Sequence, residues 1–303
     1  MYSYQKLYEI LKNKKMNKSD LTNILNISSR TIAKMNKGEK ISDIVLNKIA
    51  TYLNCNKSDL YKYVYDNLIL QTLKDEKDNK ISGGLYHELQ VRMTYNSNHI
   101  EGSKLSIDQT RMIFETRTLY AQEGVLVDDI IEASNHFRAI DYAIDVANEQ
   151  LSEDIIKHFH YILKQNTKDT DIPYFKVGDY KIKPNFVGGI ETASPNKVPL
   201  EMKRLIDAYN LKQNKKIEDI LDFHVKFERI HPFQDGNGRV GRLIMLKECL
   251  KNNIVPFIIE DSKKAFYYRG LKEYDNEKGY LVDTCLDGQD TFKVILEKLD
   301  IKY

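Results

Sequence analysis

Along nearly all of the 303 residues, apolar side chains recur at three- and four-residue spacing, with few β-branched alternations. That period is the helical one, so the chain is expected to be mainly α. One island breaks the pattern. GDYKIKPNFVGGIETASPNKVP, 178–199, holds three prolines, a Gly-Gly pair and a short β-like run, and is expected to form an irregular hairpin between helices. A second break, LKDEKDNKISGG at 73–84, is charged and ends in Gly83-Gly84, which puts a domain boundary within 64–84. The expected organisation is a small helical domain at 1–64, a linker or connecting helix at 65–83, and a larger domain at 84–303.

Composition narrows the class. The hydrophobic fraction of 42% and charged fraction of 30% are ordinary for a soluble globular protein. No apolar run approaches the ~20 residues needed to cross a bilayer, and MYSYQKLYEILKNKK has no secretory-signal pattern. Cys55, Cys249 and Cys285 are odd in number and lack CxxC pairing, which fits a reducing compartment better than a disulfide or zinc framework. A cytoplasmic protein without membrane partners is therefore expected. Trp is absent while Tyr, Lys, Asn and Ile are abundant, a bias that suits an AT-rich bacterial genome. Residues 1–65 hold 12 Lys/Arg against 5 Asp/Glu, whereas the remainder holds 34 against 39. A basic head on a mildly acidic body points the head at a polyanion.

In that head, KSDLTNILNISSRTIAKMNKGEKIS (18–42) has the grammar of a helix-turn-helix. Ser19 or a residue just before it would cap a first helix carrying Leu21 and Leu25. A turn through Asn26-Ile27-Ser28 leads to a second helix from about Ser29 to Lys37, ended by Gly38. The core is expected to include Leu7, Ile10, Leu11, Leu21, Leu25, Ile27, Ile32, Met35, Ile44, Leu46, Ile49, Leu53 and Leu60. Ser29, Arg30, Thr31 and Lys34 would then face a DNA groove, short side chains reading base edges and basic ones neutralising phosphates. The stretch resembles the Cro/phage-repressor class of helix-turn-helix domains, which usually bind DNA as dimers. The resemblance thus implies DNA as a partner through 1–64 and allows a homodimer.

The chemistry concentrates in HPFQDGNGRVGR, 231–242. IEDILDFHVKFERIH (217–231) is amphipathic, and Pro232 disfavours helical geometry at the residue before it, so that helix should stop at His231. Phe233 can anchor the turn, and Gly236 and Gly238 let the backbone approach a ligand without a Cβ. A helix starting near Gly238 would aim its free N–H groups and dipole into the loop, making an anion site. Arg239 and Arg242 could fork onto phosphate oxygens. His231 could take a proton, and Asp235 could hold Mg²⁺. Other phosphate and metal loops are excluded. Counting Asp235 as the first ligand of an EF-hand puts Leu246 where a glutamate belongs, and no GKS or GKT follows for a Walker loop.

The string resembles the Fic/Doc signature, HPFx(D/E)GN(G/K)RxxR, at every specified position: His231, Pro232, Phe233, Asp235, Gly236, Asn237, Gly238, Arg239 and Arg242. The resemblance implies an all-helical core with a short β-hairpin flap. It also implies transfer of AMP from ATP to a Ser, Thr or Tyr hydroxyl of a protein, or self-modification. In it His231 is the catalytic base, Asp235 the Mg²⁺ ligand, Gly236–Gly238 the anion hole, and Arg239 and Arg242 the phosphate ligands. The Doc kinase-like branch lacks the second arginine and the GNG pattern, both kept here.

Three further regions match the family. Phe186, Val187, Gly188 and Gly189 look like the flap that holds a target chain in extended form. FYYRGLKEYD (266–275) resembles the adenine-side helix, with Tyr267 and Leu271 against the base. Asp275 replaces a common amide there, which leaves base choice open. Ser97-Asn-His-Ile-Glu101-Gly102 matches the inhibitory pattern (S/T)xxxE(G/N), in which the glutamate, here Glu101, pairs with the second arginine, here Arg242, and slows transfer. The expected protein is an autoinhibited, Mg²⁺-dependent adenylyltransferase with a DNA-binding head that would regulate transcription. The alternatives are a nucleotide-sensing DNA-binding regulator, and a hydrolase that removes AMP with help from Glu101.

Overall fold

The computed structural model describes residues 2–63, 67–120, 124–187 and 190–303, which divide into two compact units, Met1–Asp66 and Asn67–Tyr303. The first holds α1 (Gln5–Asn13), α2 (Lys18–Leu25), α3 (Ser29–Asn36) and α4 (Asp43–Leu53). A two-residue strand, β1 (Tyr2–Ser3), pairs antiparallel with β2 (Lys62–Tyr63). The cap of α2 is Asn17 rather than Ser19. Its side chain accepts from the N–H of Ser19 and Asp20, and the Asp20 carboxylate accepts from Asn17 N. Asn26 ends α2 in the left-handed conformation, and Ser28 caps α3 by accepting from Thr31 N.

Ten of the expected core residues of this unit are buried, while Ile10 and Ile32 are only partly so. Ile44 departs outright, at 81% exposed. Ser42 caps α4, and the inward stripe is Leu46, Ile49, Ala50 and Leu53, leaving Ile44 on the opposite side of the first turn. Tyr4 and Ile41 fill the core instead. The Tyr4 hydroxyl donates to Glu39 O and accepts from Ile41 N, so its polar end is satisfied.

The second unit contains α5 (Leu68–Asn79), α6 (Leu85–Ile100), α7 (Ile107–Thr116), α8 (Val127–Asp145), α9 (Glu153–Lys164), α10 (Val198–Leu211), α11 (Ile217–Ile230), α12 (Asn237–Lys251), α13 (Lys264–Glu273) and α14 (Gly279–Lys298). The stretch 65–83 thus carries α5. Ile69, Leu70 and Leu73 are buried, α5 packs on α6 and α8, and the Asn67 amide donates to Leu250 O. It belongs to the second unit rather than to a linker. The hairpin island forms β3 (Phe186–Val187) paired with β4 (Ile190–Glu191); Gly188 and Gly189 lie outside the described residues. No helix among the described residues is long and apolar enough to cross a membrane.

The axis of this unit is α12, which packs against α6, α8, α9 and α11 and is buried on every face from Arg239 to Leu250. It carries four charged residues besides its terminal lysine into that interior, and each needs a partner to stay there. Lys247 and Glu248 pair at 2.7 Å, and Glu248 also accepts from the Tyr209 hydroxyl. The other two are the signature arginines.

Candidate functional site

His231 ends α11 in the left-handed conformation (φ 51°, ψ 61°), where the following Pro232 disfavours a further right-handed helical turn. Its backbone N–H donates to Phe227 O at 2.9 Å. Nδ1 lies 3.3 Å from the Glu228 carbonyl, which can only accept, so Nδ1 carries the proton and Nε2 keeps its lone pair. Burial lowers the pKa of His231 from the ordinary value, keeping the ring neutral near pH 7. Phe233 is fully buried and stacks on His160 with centroids 4.1 Å apart. The Asn237 amide closes the loop on itself, accepting from Phe233 N and donating to Phe233 O. Its side chain is therefore a brace, and only its backbone is left for a ligand.

Gly236 stands at φ 80°, a conformation that glycine adopts without strain, and α12 follows directly. The N–H groups of Asn237, Gly238 and Arg239 open that helix and have no acceptor within it. Arg242, one turn on, is held by α6. Its Nε donates to Ser97 Oγ (2.9 Å), and Nη2 to Ser97 O (2.9 Å) and Glu101 Oε1 (2.7 Å). Burial works against the guanidinium charge, but Glu101 outweighs it and holds the pKa above the ordinary arginine value. Arg242 Nη1 and Arg239 Nε are buried without a hydrogen-bond partner among the described residues. Gly102, by contrast, has φ 104° and open space where a Cβ would stand; it turns the chain after Glu101 and takes no part in holding Arg242.

Glu101 also reaches the anion site itself. A Cβ at Gly238 would stand 2.3 Å from Glu101 Oε1, so the carboxylate lies against the first turn of α12. Gly238→Ala must displace either Glu101 or the helix start, at about 1–3 kcal/mol. Thermal unfolding should therefore show a larger loss for Gly238→Ala in the wild-type chain than in Glu101→Gly. Equal losses would mean that Glu101 does not stand there.

Arg239 points elsewhere. Its guanidinium pairs with Glu132 of α8 (2.5 Å) and Asp235 (3.4 Å), so the two arginines do not converge on one free surface. Asp235 is 59% exposed at its side chain, and it also accepts from the fully buried ammonium of Lys164 at 2.7 Å. Burial raises the pKa of Asp235, but Lys164 and Arg239 outweigh it and keep the carboxylate ionised far below the ordinary range. One exposed, ionised carboxylate beside an anion site fits Mg²⁺, which takes one or two carboxylates and completes its shell with phosphate oxygens and water. Glu132 and Asp169 each place an oxygen within 4.8 Å of Asp235's, but the Lys164 ammonium bonds all three groups.

The flap is tied to this loop at its base. Lys181 N donates to Pro232 O, the Lys181 ammonium to Ile230 O, and the Asn185 amide to Phe233 O, while Phe186 and Val187 are exposed at 64% and 48%. The adenine-side expectation fares differently. Tyr267 is buried, its hydroxyl 2.6 Å from His224 Nε2, and it presents no open face. Leu271 packs into the same core, and Asp275 lies beyond α13 in an exposed pair with Arg229 at 3.0 Å. Tyr268, the neighbour of Tyr267, is 43% exposed, and the covering of the rest of the side chain, followed by Glu101, pushes its pKa up to about 12. In the head, Ser29, Arg30 and Lys34 are exposed on α3, whereas the Thr31 hydroxyl is engaged with that of Ser28 at 2.9 Å.

Lys164, Glu132, Asp169, Lys181 and Glu228 were not singled out by sequence. Glu228 could have been, since it stands three residues before His231 on the same helix. Its side chain is largely but not wholly covered, at 15% exposed, and burial followed by Glu101 pushes its pKa up to about 8. Glu132 meets its partners from distant parts of the chain, while the local pairs Lys164 with Asp169 and Lys181 with Asn185 stand at spacings that no motif marks.

The Fic/DOC family matches residues 150–249, and the Cro/C1-type HTH DNA-binding domain matches residues 6–66. The chain is 28% identical over 189 residues to a protein adenylyltransferase Fic of Drosophila mojavensis, covering 61% of this chain and 36% of that one. It therefore spans little more than a third of the curated relative's length. A solved Fic domain containing signaling protein from Bacteroides thetaiotaomicron superposes with a TM-score of 0.55 at 25% identity, covering 76% of this chain and 91% of that one. Fic-1 from C. elegans gives 0.57 at 20% identity over 84% and 82% of the two chains, a likeness of fold.

Proposed function

From a chain that joins a Cro/C1-type helix-turn-helix domain to a Fic/DOC-family domain, we propose an autoinhibited protein adenylyltransferase. AMP passes from ATP to a Ser, Thr or Tyr hydroxyl of a protein. The hydroxyl oxygen bonds to the α-phosphorus, the bond from that phosphorus to the bridging oxygen breaks, and pyrophosphate leaves with the electron pair. Nε2 of His231 takes the hydroxyl proton, since Nδ1–H is fixed on the Glu228 carbonyl. The opening N–H groups of α12 stabilise charge on the phosphate oxygens. Asp235 would hold Mg²⁺, which would supply positive charge beside the phosphates. Arg242, once released, would hold the end of the triphosphate with its fork. The flap strand offers its edge to an extended target segment.

The observation that carries the autoinhibited reading is the hold on Arg242. Ser97 and Glu101 take its Nε and Nη2, and the same carboxylate crowds Gly238. An arginine so engaged cannot also clamp a phosphate. The head is proposed to bind DNA through the exposed face of α3 that carries Ser29, Arg30 and Lys34, in a cytoplasmic setting.

The test uses ATP and Mg²⁺ with three purified chains: wild type, Glu101→Gly, and Glu101→Gly with His231→Ala. Intact mass reads added AMP on the chain itself, and labelled ATP reads it on lysate proteins. AMP transfer by Glu101→Gly alone is the expected outcome. Failure of Glu101→Gly to modify any protein, itself included, sinks the proposal.

A further inference from the structure

We infer that Lys164 is a positioning residue for Asp235, and that its ammonium makes divalent-metal binding depend on nucleotide. The inference rests on the proposed role of Asp235 as metal ligand. Lys164 is the last residue of α9 and is 1% exposed. Its ammonium lies 2.8 Å from Glu132 on α8, 2.5 Å from Asp169 in the 3₁₀ turn Lys168–Asp171, and 2.7 Å from Asp235 in the signature loop. These carboxylates form the one convergent acidic group among the described residues, and the ammonium bonds each of them.

Two consequences follow from that position. Asp235 is fixed from behind, by Lys164 and by Arg239, whose guanidinium is itself held by Glu132. The loop carboxylate therefore keeps one orientation without a metal. Second, a divalent ion cannot collect the three carboxylates, because a charge of its own sign already does. It is left with the exposed side of Asp235, too few ligands for a hard cation, until phosphate oxygens complete the shell. Metal and nucleotide then arrive together. Without Lys164, Arg239 is the remaining cation paired with Glu132 and Asp235, and the carboxylates are open to metal directly.

The experiment titrates the full chain with Mn²⁺ and reads the free-ion paramagnetic resonance signal, without nucleotide and with ATP. Wild type should bind Mn²⁺ weakly alone and more tightly with ATP, once the Mn²⁺ taken up by ATP in a protein-free titration is subtracted. Lys164→Met should bind Mn²⁺ alone roughly tenfold or more tightly than wild type, the scale on which one charge within a few Å alters ion affinity. Lys164→Arg should restore the dependence on ATP. Asp169→Asn should act in the opposite direction and weaken Mn²⁺ binding, because Lys164 then presses harder on Asp235.

A Lys164→Met chain with a lower melting temperature but an unchanged Mn²⁺ titration would reduce Lys164 to a structural ion pair. Should Lys164→Met not fold, Asp169→Asn decides, and unchanged or tighter binding there overturns the inference. These readouts need no transfer to occur. Failure of the adenylyltransferase proposal shows separately, in the AMP-mass assay.

Discussion

Replacing His231 by alanine in a Glu101→Gly background is expected to slow AMP transfer by roughly 10²–10⁴-fold, the usual worth of a positioned general base. ATP binding should be unchanged, because the phosphate-facing groups are on α12 and its preceding loop rather than on the imidazole. The pH profile makes the assignment specific. A histidine acts as base only when neutral, and burial lowers the pKa of His231 below its ordinary value. Transfer by Glu101→Gly should therefore rise with pH through a midpoint below about 6.5 and be flat at neutrality. Glu228, the nearest carboxyl, does not supply that limb. Burial is the first cause of its raised pKa of about 8, and burial persists when Glu101 is gone. A midpoint above 7, or a double variant within tenfold of its parent, would take the role away from His231.

What sequence makes legible here follows the range of the interactions. The signature string is legible because loop, helix start and the side chain proposed as base are consecutive, so Pro232, Gly236 and α12 set their geometry locally. Ser97 and Glu101 are readable as a pair one helical turn apart, and Arg242 meets both of them. Ile44 misleads because periodicity gives a stripe but not its phase, and Ser42's cap turns that residue outward. Tyr267 misleads for a related reason: of two adjacent tyrosines, only packing against His224 decides which is buried. Lys164 is invisible in one dimension. Two of its partners sit 32 and 71 residues away, the third, Asp169, lies in the turn after the helix, and a lone lysine ending an amphipathic helix reads as solvent-facing. The same holds for Arg239. Its place in the signature suggests a phosphate ligand, whereas Glu132 engages it across the helix packing.

The second large effect is a gain. Glu101→Gly is expected to raise AMP transfer over wild type by roughly 10²-fold or more. The Glu101 side chain is 30% exposed but Arg242 is buried, so removing the carboxylate leaves that guanidinium uncompensated at up to about 3–5 kcal/mol, and a triphosphate that re-pairs it recovers part of this. About 2.7 kcal/mol recovered corresponds to 10²-fold. If the effect runs through Arg242, it must vanish without that residue. Arg242→Ala should be slow, and Glu101→Gly added to it should give little further gain, so the cycle shows strong coupling. An equal acceleration in both backgrounds would place the inhibition elsewhere. Charge and bulk can be separated as well, because the same carboxylate both pairs with Arg242 and crowds Gly238. Glu101→Gln keeps the volume against α12 and removes the charge. Its rate should fall between wild type and Glu101→Gly, with the remaining gap measuring how much of the block is steric.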